Sequence, residues 1–209
     1  VPLDYKHESA FISSGITPND IPDQWIALQA IDALIWSNAP TQLSMTQSEA
    51  ITEWVYRGGH FIVILPAAGD PWALGSGSPA LPELMGNVRT ARHSIPLIML
   101  DGLIGTIKGK PTIDVTIHSF GDEQSFKDAY DIPLMALPSG DVIAMQRTFG
   151  FGAVTVIGVD IGSGRLNSLG LPGTDRFWNR IFGKRDDTPS RATVDLLRED
   201  ERLSQNYPI

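Results

Sequence analysis

The sequence predicts an α/β fold with a mainly parallel central sheet and a β-rich C-terminal half. Two observations support this prediction. Residues 44–65 have the pattern of an amphipathic helix, a two-glycine stop and a continuous apolar strand, and another apolar run precedes them. From residue 95 to residue 157, short β-type runs alternate with turns that contain glycine or proline. The first pattern is a strand–helix–strand unit, in which the two strands are parallel and the crossover is right-handed.

The helix of this unit is predicted over residues 44–57. Ser44 and Gln47 have the spacing of a capping box, in which each side chain binds the other residue's backbone amide. Gly58 can adopt the left-handed conformation that commonly ends a helix. One face of the helix is apolar and would pack on a sheet: Ile51, Trp54 and Val55.

Several short segments have strand patterns. Phe61–Leu65 is a continuous apolar run, which suits a strand covered on both faces. Ile31–Trp36 is the strand that precedes the helix, and residues 23–28 are expected to form one helical turn before it. The remaining predicted strands are 95–100, 112–118, 134–137, 142–147 and 153–159, the last two forming a hairpin across the turn at 148–152. A helix is predicted over residues 175–182, with Phe177, Trp178 and Ile181 facing inward.

The 209 residues predict one domain over residues 1–183, followed by a charged arm or linker over residues 184–209. Hydrophobic residues make up 42% of the chain and charged residues only 19%, so most of the length can form a packed core. Within the arm, residues 193–203 have a weak helical pattern.

Charge and cysteine content exclude several classes of function. The net charge is -8, and an acidic chain without a basic cluster repels a phosphate backbone, so no nucleic-acid partner is expected. Cysteine is absent, which excludes disulfides, thiolate metal sites and cysteine nucleophiles in this chain. The four histidines lack metal-ligand spacing, and we expect neither a metal nor another cofactor. No apolar run approaches the roughly 20 residues of a membrane helix, so contact with a membrane is expected only through segments outside this chain.

The loop at residues 66–72 (PAAGDPW) follows the buried strand, at the end where α/β proteins usually bind ligands. It contains no nucleophile, and Asp70 and Trp72 are its candidate ligand-binding residues. Asp101 and Asp160 are further candidates, because carboxylates that follow strands can bind a ligand or act as acid and base. Each candidate has a structural alternative, since Asp beside Gly commonly forms a turn and Trp72 can cover the sheet edge.

The histidines and the paired glycines have simpler interpretations. We expect a structural role for His60 at the start of its strand, a solvated loop for His93 and a strand end for His118. Gly150 and Gly152 are a fragment of a phosphate-binding fingerprint, but they lie in a predicted hairpin turn. No helix amino terminus follows them to hold a phosphate.

Three segments resemble class I glutamine amidotransferase-like domains: residues 25–36 (WIALQAIDALIW), 54–63 (WVYRGGHFIV) and 150–160 (GFGAVTVIGVD). The last segment is similar to a strand in degenerate, membrane-associated bacterial members of that superfamily, where a short helix with Phe-Trp follows, as Phe177–Trp178 does here. The resemblance covers roughly residues 21–182 and implies a flavodoxin-like three-layer sandwich.

Active members of that superfamily carry a cysteine nucleophile in a Gly-x-Cys-x-Gly elbow, whereas residues 66–69 here read PAAG. Because an alanine cannot supply a thiolate, the resemblance implies no catalytic residue. It implies a non-catalytic domain of a larger bacterial membrane-associated protein, one that binds a protein or a small molecule. The compartment stays open, with an extracytoplasmic location among the alternatives.

A second hypothesis is a hydrolase or sugar-processing enzyme on the same fold. It would use carboxylates among Asp70, Asp101 and Asp160. Acid–base chemistry of this kind requires two of these carboxylates to reach a shared water or substrate atom.

Overall fold

The computed structural model describes residues 13–37, 39–40, 42–85, 89–107, 112–122, 131–169 and 174–183. Within them lie the strands β1 (Ala33–Trp36), β2 (His60–Ile64), β3 (Ala91–Pro96), β4 (Asp114–Ser119), β5 (Asp131–Ala136), β6 (Val142–Phe149) and β7 (Gly152–Ile157). The helices are α1 (Met45–Tyr56), α2 (Ala73–Gly77), α3 (Leu81–Met85), α4 (Gly164–Asn167) and α5 (Thr174–Ile181). Short 3-10 turns cover Pro18–Asp20, Trp25–Leu28 and Leu97–Leu100.

The main sheet has five strands in the order β1-β2-β7-β6-β5. β1, β2 and β7 are mutually parallel, whereas β5, β6 and β7 pair antiparallel. β3 and β4 form a small antiparallel sheet. β4 continues to the end of β7, where Ile117 bridges Val159 and the His118 amide donates to the Gly158 carbonyl at 2.7 Å.

The predicted flavodoxin-like sandwich with a mainly parallel sheet is therefore wrong. In the main sheet parallel and antiparallel pairings are equal in number, and three of the five strand pairs among the described residues are antiparallel. The physical reason lies between residues 136 and 152, where only short turns separate the strands. A parallel pair needs a crossover of a dozen residues or more, so these short connections force the chain to return antiparallel.

Both faces of the main sheet are buried, and β2 shows this directly. Phe61, Val63 and Leu65 belong to a core that includes α1, α2 and α3. Ile62 and Ile64 belong to the core on the opposite face, which includes β4, α5 and the turn at 97–100. The continuous apolar run thus marks a strand covered on both faces and lying between two parallel neighbours, as predicted.

The prediction for α1 is confirmed at both ends. The Gln47 amide donates to the Ser44 hydroxyl at 3.2 Å, and the Ser44 amide donates to Gln47 Oε1 at 3.0 Å. Gln47 also donates to the Pro18 and Ile21 carbonyls at 2.8 and 2.9 Å, which fastens the preceding segment to the helix. Gly58 follows the helix with a φ of 121°, in the region that favours glycine.

Other predictions were confirmed or corrected locally. The helical turn before β1, the hairpin of β6 with β7 and the helix α5 are confirmed. The strand predicted over 95–100 is wrong, because β3 ends at Pro96 and Leu97–Leu100 is a turn that buries Leu97 and Leu100. His93 consequently lies on β3 and not in a loop. The arm at 184–209 and its helical pattern at 193–203 lie outside the described residues.

Candidate functional site

The carboxyl edge is the edge of the main sheet where β1, β2 and β7 end together. The residues that follow these strands include Ser37, Pro66 and Asp160. A Cβ placed on Gly162 would lie 3.5 Å from Ser37 Oγ and 3.7 Å from Asp160 Oδ1, so the serine and the buried carboxylate flank Gly162. The structure thus places Asp160, a predicted site residue, around Gly162 together with a serine that sequence reasoning did not single out.

The loop after β2 is fastened to the small sheet at this edge. The Arg92 guanidinium donates to the Gly69 carbonyl. His118 Nε2 lies 2.9 Å from the Pro66 carbonyl, and because a carbonyl only accepts, the ring donates through Nε2–H. Two carbonyls of the loop are therefore occupied by residues of β3 and β4.

The surroundings of His118 favour its neutral imidazole form. Its side chain is only 1% exposed, and burial lowers its pKa. The hydrogen bond to Pro66 acts in the opposite direction, while electrostatic interaction with Arg92 and His93 lowers the pKa further. Next to it, His93 Nε2 lies 2.9 Å from Ser119 Oγ.

The four candidate residues from the sequence, Asp70, Trp72, Asp101 and Asp160, do not form one cluster of contacts. Asp70 accepts a hydrogen bond from the Trp72 amide at 2.9 Å in an exposed turn, and Trp72 packs against the core. Asp101 accepts from the Ile107 amide at 2.8 Å, on the opposite face of the sheet. Asp160 is 8% exposed at the end of β7. Ligand binding by these residues stays a prediction, and for Asp70 and Asp101 the structure shows the turn that the alternative interpretation described.

Metal coordination has no geometric basis in the part of the chain that the structure describes. There, no three residues among His, Asp and Glu are grouped so that they could hold an ion. Likewise, none of the helices among these residues has the length and apolar character needed to cross a bilayer.

The amino edge, where β2 and β7 begin, carries a polar cluster of three side chains from neighbouring strands. His60 Nε2 lies 2.7 Å from Thr155 Oγ1, and Gln146 Nε2 donates to the same hydroxyl at 3.2 Å. Burial lowers the pKa of His60 to about 4. Sequence reasoning considered His60 alone and missed the other two. The available signal was Thr155, a polar residue at the centre of an apolar strand.

The turn of the β6–β7 hairpin lies at the same edge and carries Phe151, which is 92% exposed. The hairpin sits directly on the end of α1. The Phe151 amide donates to the Tyr56 carbonyl at 3.0 Å, and a Cβ on Gly152 would lie 2.1 Å from the Val55 carbonyl oxygen. The glycines at 150 and 152 thus allow two backbones to approach closely. This close approach explains why glycine occupies both positions, and no phosphate-binding role is needed to explain them.

Comparison with known proteins gives a likeness in fold. No family model matches the chain, and no curated protein matches it. Among solved structures, the chain is similar to cytoplasmic protein STM1381 from Salmonella typhimurium LT2, with 16% identity, a TM-score of 0.50 and coverage of 78% of this chain and 75% of that one. It is also similar to cytoplasmic protein STM3548 from Salmonella typhimurium, with 12% identity, a TM-score of 0.51 and coverage of 79% and 78%.

A third match, exo-beta-1,4-mannosidase Op5Man5 from Opitutaceae bacterium strain TAV5, has 15% identity and a TM-score of 0.37. It covers 73% of this chain but 24% of the mannosidase, and at that TM-score it carries no argument about this chain.

These findings correct the description of the chain as a membrane-associated, flavodoxin-like domain of the glutamine amidotransferase-like type. The mixed sheet removes the flavodoxin-like architecture. The two Salmonella proteins show a likeness in fold alone. Membrane association therefore rests on the sequence resemblance alone.

Proposed function

We propose that this chain is a non-catalytic interaction domain that binds a protein partner at its amino edge, with Phe151 as the anchor. The observation that carries the proposal is the exposure of Phe151 on a backbone that is fixed against α1. Exposed aromatic side chains on rigid elements are typical anchors of protein interfaces, because they bury a large area and lose little conformational entropy on binding.

The surface around the end of α1 has a composition that suits an interface. The Arg57 guanidinium lies 4.0 Å from the centre of the Trp25 ring, and the neighbouring Ile26 is 58% exposed. The Tyr56 ring packs edge-to-face on Phe149, with the ring centres 6.0 Å apart. Aromatic residues and arginine are enriched in interfaces relative to the rest of a protein surface, so this composition supports a docking role.

The carboxyl edge supports the non-catalytic part of the proposal. The loop after β2 carries no nucleophile, and Asp70 and Asp101 each hold a backbone amide of their own turn. The carboxylate-dependent hydrolase needs two carboxylates that reach one atom. Of its three candidates, only Asp160 is buried, and it flanks Gly162 together with Ser37, which carries a hydroxyl and no carboxylate. That alternative therefore has less support.

Site-specific photo-crosslinking in cells tests the proposal. A benzophenone side chain placed at position 151 is expected to give a discrete adduct with a partner. The same group at Ile132, which is also exposed but lies on β5, serves as the matched control and is expected to give none.

The captured partner is then purified and its affinity for the chain is measured. Phe151→Ser is expected to weaken binding by about 2 kcal/mol, the size of an interface hot spot, whereas Ile132→Ser leaves it unchanged. Unchanged affinity of Phe151→Ser would remove Phe151 as the anchor. A second copy of this chain as the captured partner would identify the interaction as self-association.

A further inference from the structure

We propose that the amino edge holds a second binding site, separate from Phe151, for a small neutral planar molecule with a hydrogen-bonding group. The site is formed by His60, Gln146 and the ring of Phe182. The observations behind it are the hydrogen-bond directions in the polar cluster, the two polar atoms that no described residue binds, and the aromatic rings beside them.

The hydrogen bonds of the cluster fix the tautomer of His60. Gln146 Nε2 can only donate, so the Thr155 hydroxyl accepts from it at 3.2 Å. The Thr155 proton then goes to His60 Nε2 at 2.7 Å, since Thr155 is fully buried and its hydroxyl needs an acceptor. The ring proton of the neutral His60 consequently sits on Nδ1, on the side of the ring away from Thr155.

Two polar atoms of the cluster remain for a ligand. No described residue binds His60 Nδ1 or Gln146 Oε1, and neither atom is among the fully buried polar atoms that lack a partner. One is a donor and the other an acceptor. A carboxamide group offers the complementary acceptor and donor, which is why we assign a molecule of this kind.

The surroundings supply a flat apolar wall and two small neighbouring side chains. The Phe182 ring meets the His60 ring edge-to-face at 6.1 Å, stacks on Trp178 at 5.7 Å and is partly exposed. Ala33 and Ala153 are the register partners of His60 on β1 and β7, so both side chains next to the imidazole are small. A planar ring would lie over these alanines, against Phe182.

The cluster selects for a neutral molecule. His60 is uncharged at neutral pH because burial lowers its pKa to about 4, and Thr155 and Gln146 carry no charge. A carboxylate placed here would lose water without gaining a positive partner, which is costly.

Nicotinamide and nicotinate test this inference, since they share one ring and differ in having a neutral amide or a charged carboxylate. Binding is followed in two-dimensional NMR spectra through the Trp178 indole N–H and the His60 ring. We expect nicotinamide to shift both signals saturably. We expect nicotinate to bind at least about tenfold more weakly.

His60→Leu and Gln146→Met are expected to abolish the nicotinamide response while keeping the fold, as checked by circular dichroism. His93→Leu, which removes an imidazole from β3, is the matched control and is expected to keep the response. Equal binding of the two probes overturns the inference. So does a response that survives in either His60→Leu or Gln146→Met, or the absence of saturable nicotinamide binding by the original chain.

Discussion

The two edges of the parallel strands differ in how their polar groups are used. At the carboxyl edge, the polar groups of the loop after β2 are bound within the chain: Arg92 holds Gly69, His118 holds Pro66 and Asp70 holds its own turn. At the amino edge, His60 and Gln146 each bind Thr155, while no described residue binds His60 Nδ1 or Gln146 Oε1. The usual ligand-binding position of an α/β sheet is therefore a guide only where its polar groups remain free.

The mixed topology produces this difference. Because β4 runs alongside the end of β7, with Ile117 opposite Val159, the small sheet covers the edge where a ligand would otherwise enter. The amino edge has a different neighbour, the end of α1, which supports the hairpin turn from one side and leaves Phe151 exposed. A prediction of the sheet as mainly parallel directs attention to the carboxyl edge alone.

The largest expected effect comes from filling the contact between the hairpin and α1. In Gly152→Ala the new Cβ would lie 2.1 Å from the Val55 carbonyl oxygen and 2.3 Å from that of Gly59, so two backbones must move apart. We expect a loss of about 3 kcal/mol in the free energy of unfolding, measured by urea denaturation. Gly164→Ala is the control, because nothing lies within 4 Å of its Cβ. Equal losses in the two variants would mean that the hairpin is not seated as described.

A second, smaller effect concerns the charge state of the polar cluster. The folded pKa of His60, about 4, is below its ordinary value of 6.5, so the unfolded chain takes up the proton first as the pH falls. The contribution of His60 to stability is therefore complete above pH 6.5 and is lost between pH 6.5 and pH 4. We expect a loss of about 2 kcal/mol over this range, after allowance for its partial exposure to water.

The measurement is the free energy of unfolding of the original chain and of His60→Leu across this pH range. The pKa of His118 is also lowered, and His118 contributes to the pH dependence of stability in both proteins. The difference between the two curves therefore isolates the contribution of His60. Parallel curves would show that burial does not lower the pKa of His60, and would remove the argument that the polar cluster selects a neutral molecule.

Local signals in the sequence predicted the elements of this fold well. The Ser44–Gln47 spacing, Gly58 and the apolar run at 61–65 each act within one element or its immediate boundary, and each is found as expected. What the sequence did not disclose is where β5 would join the sheet. Its pairing with β6 includes the ion pair of Asp131 with Arg147, a contact that no periodicity in the sequence predicts.

The candidate site was harder to predict because it depends on neighbours that are distant in sequence. His60, Gln146 and Thr155 become a cluster only because β6 pairs with β7 and β7 with β2. Asp70 and Asp101, in contrast, were identified by a local signal, a carboxylate after a strand, and that same signal is what marks a turn.

The smallest expected effect lies at the carboxyl edge and tests whether that edge is as closed as its contacts indicate. In Asp70→Ala the hydrogen bond to the Trp72 amide is lost, but the turn is exposed and water can replace the carboxylate. We expect a change within about 1 kcal/mol in the free energy of unfolding and no change in partner binding. A larger loss would make Asp70 structural. A loss of partner or ligand binding without a loss of stability would show that Asp70 contacts a binding partner. The binding site would then lie at the carboxyl edge.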